Sequence, residues 1–221
     1  MFKADNPVIV FLNRLTDIVI LNLFFIILCI PVVTIGAATT ALYYVCVKMV
    51  KNEESYIWKD FFKSFAQNFK QATIIWLINL VAIGIFVTDI AILSGGALAN
   101  VSRPLFIAIL IVGLILVSIM LYVYPMQSHF YNSVPNTIKN AFILSIGNLP
   151  YTVLFIIISA LPFLVLLSPY AGYLTPVVIL VGFSGPVYIC SHFWTKIFAK
   201  LDPEEEDRGD SDGQEEEQKS E

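Results

Sequence analysis

The chain has 221 residues, of which 57 % are hydrophobic and only 14 % are charged, and its mean hydropathy is +0.78. A soluble domain carries about 25 % charged residues because its surface must face water. The low charge therefore argues against an independent soluble domain and indicates a surface that faces lipid.

The net charge of −4 conceals two parts of opposite sign. Eleven of the 17 acidic residues lie in residues 202–221, which include only two basic residues, so this tail carries about nine negative charges. Its few apolar side chains cannot offset the entropy lost on ordering, and we expect it to be disordered. Residues 1–201 are predicted to form a transmembrane domain with a net positive charge. No basic patch is large enough to predict nucleic-acid binding.

Five apolar runs are long enough to cross a bilayer, which requires about 20 residues of helix. They cover residues 18–47, 72–93, 104–124, 149–167 and 174–198. The predicted fold class is an all-α integral membrane protein with about five transmembrane helices. The three cysteines, Cys29, Cys46 and Cys190, lie in or beside these runs and are interpreted as small buried side chains.

The first run is longer than one span and contains Pro31 and Gly36. Proline removes a backbone donor and kinks a helix, so a bend or break is predicted at residues 31–36. Two arrangements remain open, a single bent span and a re-entrant hairpin with both ends on one side. A cleaved signal peptide is disfavoured because its apolar core is only about 7–15 residues long.

Basic residues near the helix ends predict the orientation, because they concentrate on the cytoplasmic side. Lys3, Arg14 and Arg103 would lie on one side, and the other side would hold Lys48, Lys51, Lys59, Lys63, Lys70, Lys139, Lys196 and Lys200. The N-terminus is therefore predicted outside, and the first loop and the acidic tail in the cytoplasm. A hairpin in the first run would move only the N-terminus.

The first loop holds a predicted amphipathic helix at about residues 55–70. An apolar stripe recurs every four residues at Ile57, Phe61, Phe65 and Phe69, and Trp58 and Phe62 lie beside it. Lysines and polar residues occupy most of the other positions. The pattern is typical of a helix in the plane of the lipid headgroups, with Trp58 at the interface. The alternative is a short helix packed on the membrane body.

Residues 68–80 and 137–149 resemble each other, and the alignment pairs Lys70 with Lys139 and Asn79 with Asn148. The only two histidines, His129 and His192, also occupy corresponding places, near the ends of the third and fifth runs. The second and third predicted helices are therefore interpreted as a parallel repeat of the fourth and fifth, a plan known from transporters. Chance similarity is the alternative.

Three polar residues of the predicted membrane helices are candidates for function. Asn79 and Asn148 would lie about halfway through the bilayer, where they would either bond neighbouring helices or line a solute path. Their equivalent depths lead us to expect that they face a shared interface. Asp89 is the only carboxylate well inside an apolar run. Its alternative role is an interfacial ion pair with Arg14 or Arg103.

His129 and His192 are predicted to lie at the headgroup level on the cytoplasmic side. Zinc requires three or four protein ligands, and no Cys or carboxylate cluster accompanies these histidines. The sequence also contains no glycine-rich phosphate loop, no nucleophile–base pair and no paired intramembrane carboxylates. No cofactor, metal site or enzyme activity is therefore predicted.

Several stretches resemble the YesL-like family of bacterial membrane proteins. They are Asn22-Leu-Phe-Phe-Ile, Pro31-Val-Val-Thr-Ile-Gly36-Ala-Ala-Thr-Thr-Ala41-Leu-Tyr-Tyr44, Phe61-Phe-Lys-Ser-Phe-Ala-Gln-Asn-Phe-Lys70 and Thr137-Ile-Lys-Asn140. The likeness covers most of residues 10–200, and its best part is the Pro-x-x-Thr-x-Gly stretch. Ala37 stands where the family commonly has proline, and the acidic tail looks peculiar to this chain.

The resemblance implies a small polytopic protein of the bacterial plasma membrane with no established activity. Such proteins are often encoded near carbohydrate importers and polysaccharide-degrading enzymes of Gram-positive bacteria. This implies a non-enzymatic accessory role in carbohydrate uptake, with membrane lipids and importer subunits as partners. The other hypothesis is a small-solute transporter or channel built on the repeat, with Asn79 and Asn148 lining the path. No oligomeric state is predicted.

Overall fold

The computed structural model describes residues 7–53, 56–94 and 103–201, and nearly all of them are helical. The elements are α1 (Pro7–Cys29), a single 3-10 turn (Val32–Thr34), α2 (Ile35–Val50), α3 (Ile57–Ser94), α4 (Arg103–His129), α5 (Val134–Gly147), α6 (Leu149–Leu167), α7 (Ala171–Val181) and α8 (Ser184–Leu201). The described residues form no strand. The predicted all-α membrane fold is confirmed. The acidic tail, predicted to be disordered, lies outside the described residues.

Five helices in the described part are long and apolar enough to cross a membrane: Val8–Cys29, Val32–Val50, Ile57–Ile92, Ile107–His129 and Leu149–Leu167. Helices α7 and α8 pass the same test only as a pair, and they are bent by 51° at their junction. The number of single helices agrees with the prediction, but their boundaries differ. The first predicted run is two helices, and the fifth is a broken pair.

The first apolar run forms a hairpin. Arg14, near the start of α1, donates hydrogen bonds to the Met49 carbonyl oxygen and to Asn52 Oδ1, at the end of α2. Helices α1 and α2 are therefore antiparallel neighbours. The sequence left open a single bent span and a re-entrant hairpin. The structure has a hairpin with both ends of the run at one end of the molecule, and each of its two helices is long enough to cross a membrane.

The hairpin turns at Pro31, between α1 and the 3-10 turn. Proline has no N–H to donate, so the helical bonding pattern is interrupted there. The Thr34 hydroxyl donates to the carbonyl oxygens of Leu28 and Pro31 and so satisfies backbone acceptors that the turn leaves open. The backbone acceptors at the predicted break in residues 31–36 are thus satisfied by a side chain from the same stretch.

The tip of the hairpin packs against the middle of α3. Trp76 Nε1 donates to the Val32 carbonyl oxygen at 2.7 Å. At Gly36, an added Cβ would lie 2.5 Å from the Ala72 carbonyl oxygen and 2.7 Å from Trp76 Cβ. Such distances exclude any side chain, so glycine is needed for the close approach of α2 to α3. The Pro-x-x-Thr-x-Gly stretch is therefore the contact between the hairpin and α3.

Helix α2 is the central element of the bundle. In its span 61 % of the residues are buried, against 11 % in the α1 span. Helices α1, α3, α4 and α8 all contact it. Its buried positions include the small residues Gly36, Ala37, Ala38, Thr40 and Ala41. Small side chains let helix backbones approach closely, and this close packing drives association where no water is present.

The end of α2 carries a left-handed cap. Asn52 has a φ of 56°, its N–H donates to the Met49 carbonyl at 3.4 Å, and the Glu53 N–H donates to the Lys48 carbonyl at 3.2 Å. These are the two bonds of a Schellman motif, whose left-handed position favours glycine and tolerates asparagine. The Arg14 guanidinium adds a positive charge at this helix C-terminus, which the helix dipole favours.

The predicted loop helix at about residues 55–70 and the predicted span at residues 72–93 are parts of one continuous helix. Helix α3 has 38 residues. Its first half runs beside α2, from the Lys48–Asp60 ion pair to the Gly36 contact. Its second half runs beside α4, where the ring of Phe86 lies against Gly113.

The first helix is continuous in one of the two predicted repeat units and broken in the other. Asn79 lies inside α3, whereas its counterpart Asn148 separates α5 from α6. Pro150 occupies the first turn of α6, and the corresponding residue in α3 is Val81. Proline clashes with the carbonyl four residues before it, which explains the break in the second unit. Pro186 lies in the same way within the first turn of α8, after the junction with α7.

The tight contact at Gly36 leads to a stability prediction. Changing Gly36 to Ala should destabilise the fold by about 1–3 kcal/mol, the usual cost of overpacking. The measurement is thermal unfolding in detergent. Gly84→Ala is the matched control, because Gly84 is likewise inside a helix, α3, but no neighbouring atom lies within 4 Å of the added Cβ. The control should be neutral or stabilising, and equal effects of the two changes would contradict the close approach.

Candidate functional site

The first half of α3 has a packed side and an exposed side. The packed side consists of the buried residues Phe61, Ser64, Asn68, Ala72 and Ile75. On the other side Trp58 is 61 % exposed, Phe62 is 43 % exposed and Phe69 is 39 % exposed, with three exposed lysines between them. We call this exposed side the lysine face, and it consists of Trp58, Lys59, Phe62, Lys63, Phe69 and Lys70.

The aromatic stripe predicted to face the headgroups is largely turned inward. Phe61 is fully buried, and Ile57 and Phe65 pack against the cluster that α1 and α2 form. The Phe61 ring lies 6.1 Å from the ring of Phe24 in α1. The hairpin covers this side of α3, so the alternative of packing on the membrane body holds for the stripe. Trp58, Phe62 and Phe69 form the exposed aromatic edge instead.

One ion pair joins α2 to the start of α3. Lys48 Nζ lies 3.0 Å from Asp60 Oδ2, and both side chains are largely covered by neighbouring residues. Asp60 is thus engaged on the packed side of the helix. Within the part of the chain that the structure describes, no carboxylate pairs with the exposed lysines Lys51, Lys59, Lys63, Lys70, Lys139, Lys196 and Lys200. The lysine face therefore has a positive charge that the described residues do not neutralise.

A polar cavity of about 120 Å³ lies beside the lysine face, between α2, α3 and α4. Its walls include Tyr44 of α2, Lys63 and Asn68 of α3, and Gln127 and His129 of α4. The lining is rich in hydrogen-bonding groups, in contrast to the lipid-facing apolar surfaces of the same helices.

Two buried amides order one wall of this cavity. Asn68 Nδ2 donates to the Ser64 carbonyl oxygen at 3.0 Å, and Gln127 Nε2 donates to Asn68 Oδ1 at 3.2 Å. Gln127 is only 4 % exposed, and its Oε1 accepts no hydrogen bond from the described residues. The wall therefore supplies hydrogen-bond donors and acceptors, which suit polar recognition.

The two histidines contact different neighbours. The His129 ring stacks on Phe198 at 4.3 Å, with an interplanar angle of 12°. His192 is exposed, and its Nδ1 lies 3.0 Å from the Tyr188 carbonyl oxygen in the preceding turn of α8. Among residues 7–53, 56–94 and 103–201, no three His, Cys, Asp or Glu side chains are grouped to hold a metal ion.

Asn79 and Asn148 contact separate partners at α4 and α5. Asn79 Nδ2 donates to the Tyr124 hydroxyl at 3.2 Å. Asn148 Nδ2 donates to the Leu144 carbonyl at 3.1 Å, and the Asn148 carbonyl accepts a long bond of 3.5 Å from the Tyr122 hydroxyl. Both residues thus lie near α4, but no hydrogen bond between the two amides is present in the described part. The structure supports interhelical bonding for Asn79.

Asp89 is exposed, in the second half of α3. Arg14 is not its partner, because Arg14 bonds to the end of α2 beside the first turns of α3. The other proposed partner, Arg103, has a side chain outside the described part. Trp58 is exposed as an interfacial residue requires, and its place at the headgroups stays a prediction.

Asn22 is a key residue that the sequence did not single out. It is fully buried in α1, and its Nδ2 donates to the carbonyl oxygens of Val178, at 3.2 Å, and Ile179, at 2.7 Å. Its Oδ1 accepts from the N–H groups of Phe183, at 2.9 Å, and Ser184, at 2.8 Å. One side chain thus satisfies both helix ends at the α7–α8 junction. The sequence signals were an asparagine among the otherwise apolar residues 18–30 and its place at the start of a stretch that resembles the YesL-like family.

Comparison with known families identifies part of the chain. Residues 18–90 match the family described as "Protein of unknown function, DUF624". Over this segment the resemblance to the YesL-like family is confirmed. Comparison with curated proteins and with solved structures gives no match.

The YesL-like segment contains the structural features that build the site. It includes the second half of α1, the hairpin tip, α2 and nearly all of α3. Asn22, the Pro-x-x-Thr-x-Gly stretch and the lysine face therefore belong to one matched unit. The α4 wall of the cavity, with Gln127 and His129, lies beyond it.

The four hydrogen bonds of Asn22 lead to a prediction. Changing Asn22 to Leu would leave the N–H groups of Phe183 and Ser184 and the Ile179 carbonyl without the partner that Asn22 supplies, whereas the Val178 carbonyl still accepts from the Gly182 N–H. Each unsatisfied buried group costs about 1–3 kcal/mol. We expect a large drop in the melting temperature in detergent. Asn79→Leu is the matched control, because it removes a single interhelical bond worth about 0.6–2 kcal/mol. A drop for Asn22→Leu no larger than for the control would contradict the role of Asn22.

Proposed function

We propose that this protein is a non-enzymatic accessory protein of the bacterial plasma membrane that acts with a carbohydrate import system. The proposal rests on the lysine face, which is an exposed surface of the long helix α3. The opposite side of α3 packs against α2. The partner of the lysine face would be a membrane subunit of the importer. The carbohydrate part rests on the genomic neighbourhood that the YesL-like resemblance implies.

The chemistry of the lysine face supports a binding role. Aromatic side chains such as Trp58 and Phe62 supply large contact areas, and tryptophan is enriched among the residues that dominate binding energies. The neighbouring lysines add long-range attraction to acidic partner surfaces, which favours encounter and orientation. The amides beside the face are fixed by hydrogen bonds within α3 and between α3 and α4, which suits a recognition site.

The rival hypothesis is a small-solute transporter with Asn79 and Asn148 lining a path. It receives less support, because the Asn79 amide donates to Tyr124 and the Asn148 amide donates to its own helix. Broken helices in transporters offer backbone groups to a solute. Here the backbone groups of the α7–α8 junction bond to Asn22 instead.

We also propose that the lysine face lies on the cytoplasmic side, because basic residues concentrate there. The hairpin then places the N-terminus on that side too. In a Cys29→Ala background, single cysteines at Asn6 and Asn136 should be shielded from an impermeant thiol reagent in intact cells, while one at Gly96 is labelled. Labelling at Asn136 would reverse the orientation, and labelling at Asn6 alone would contradict the hairpin.

Affinity capture in mild detergent from the native host tests the accessory role. The wild-type protein should co-purify with membrane subunits of a carbohydrate importer. The triple change Trp58→Ala, Lys59→Gln, Phe62→Ala should reduce their recovery by about tenfold or more, which corresponds to 1.4 kcal/mol. The matched control changes three exposed apolar residues in the second half of α3 to Ala, namely Ile85, Val87 and Ile92, and should leave recovery unchanged.

Two outcomes would overturn the proposal. One is equal recovery of importer subunits with the triple variant and with its control, since the lysine face would then have no part in binding. The other is solute uptake by the purified protein alone in proteoliposomes, which would establish the transporter hypothesis.

A further inference from the structure

The lysine end of the molecule has an excess of positive charge within the described part of the chain. Three described carboxylates lie near this end: Asp17 is one helical turn from Arg14, Asp60 is paired with Lys48, and Glu53 is exposed. Against them stand seven exposed lysines, distributed over the first loop and helices α3, α5 and α8. A surface of this kind attracts polyanions over roughly 10 Å at 0.1 M salt.

The acidic tail begins at the same end. Helix α8 ends at Leu201, one turn after Phe198, and the Phe198 ring stacks on His129. His129 and Lys63 line the same polar cavity. The start of the tail is therefore close to the cavity that borders the lysine face.

The length and the charge of the tail fit this surface. Residues 202–221 carry eleven acidic and two basic side chains. A flexible chain of 20 residues has a root-mean-square span of roughly 25 Å. This is comparable to the length of the first half of α3, because a helix rises about 1.5 Å per residue.

We propose that the acidic tail, residues 202–221, lies over the lysine face and neutralises it. The attraction is between many charges and requires no fixed conformation of the tail, so it agrees with the predicted disorder. The tail then competes with any acidic partner surface or anionic lipid for the same lysines. This regulatory consequence rests on the proposed function, whereas the contact itself does not.

The test measures how often the acidic tail contacts the lysine face in the purified full chain. Cysteines replace Ser211 in the tail and Gln67 beside the lysine face, in the Cys29→Ala background, because Cys46 and Cys190 are buried. The protein is placed in nanodiscs of zwitterionic lipid, and the rate of disulfide formation is measured. Each rate is divided by the reactivity of the single thiols toward a neutral maleimide, which removes effects of charge on thiol chemistry.

The matched control keeps the length of the tail but replaces its eleven acidic residues with Gln or Asn. We expect the native tail to form the disulfide about tenfold faster than the neutral tail at low salt, because attraction raises the effective concentration. At 1 M salt the Debye length falls to about 3 Å, and the two rates should converge. A second pair, Ser211→Cys with Ile85→Cys, should react slowly with both tails, because Ile85 is 18 residues further along α3.

Equal rates for the native and neutral tails at low salt would overturn the contact. The same holds if the Ile85 pair reacts as fast as the Gln67 pair, since the tail would then show no preference for the lysine end. If the contact is found but importer subunits are not captured, the tail contact stands and the accessory function falls. If both are found, the neutral tail should increase the recovery of importer subunits.

Discussion

Backbone N–H and C=O groups inside a membrane must bond to protein, because no water is available and each open group costs several kcal/mol. In the described part of the bundle, side chains close three of the breaks between helices, namely the hairpin tip, the α5–α6 junction and the α7–α8 junction. Trp76 bonds to the hairpin tip, Asn22 bonds to the α7–α8 junction, and the Thr152 hydroxyl donates to the Ser145 carbonyl at the α5–α6 junction. Two of these side chains, Trp76 and Asn22, hold the α1–α2 hairpin against the other helices.

The α1–α2 hairpin takes part in two of these side-chain contacts. Asn22 in α1 reaches α7 and α8, while Val32 at the tip accepts from α3. Between them α2 packs through glycine and alanine at distances that larger side chains would prevent. The close contact at Gly36 and the hydrogen bond of Trp76 reinforce each other, because both require the same approach of α2 to α3. This is a physical reason for the Pro-x-x-Thr-x-Gly stretch.

Helix α3 has two roles along its length. Its first half is covered by the hairpin on one side and exposed on the other, so it is both part of the packed bundle and an accessible polar surface. Its second half is apolar and faces lipid around most of its circumference. A recognition surface supported from behind by close packing is pre-organised, which reduces the entropy lost on binding.

The amino-acid pattern alone determined the helical class, the apolar runs, the charge of the tail and the break at Pro31, because these follow from composition, period and the chemistry of proline. Tertiary structure decided the rest. Pro31 predicts that the helix is interrupted, but it does not predict the direction of the chain after the break. That direction depends on the contacts of Gly36 and Trp76 with their partners. The stripe at Phe61 faces inward because α2 occupies that side. Asn22 finds its partners more than 150 residues away, and no local pattern can indicate such a pairing.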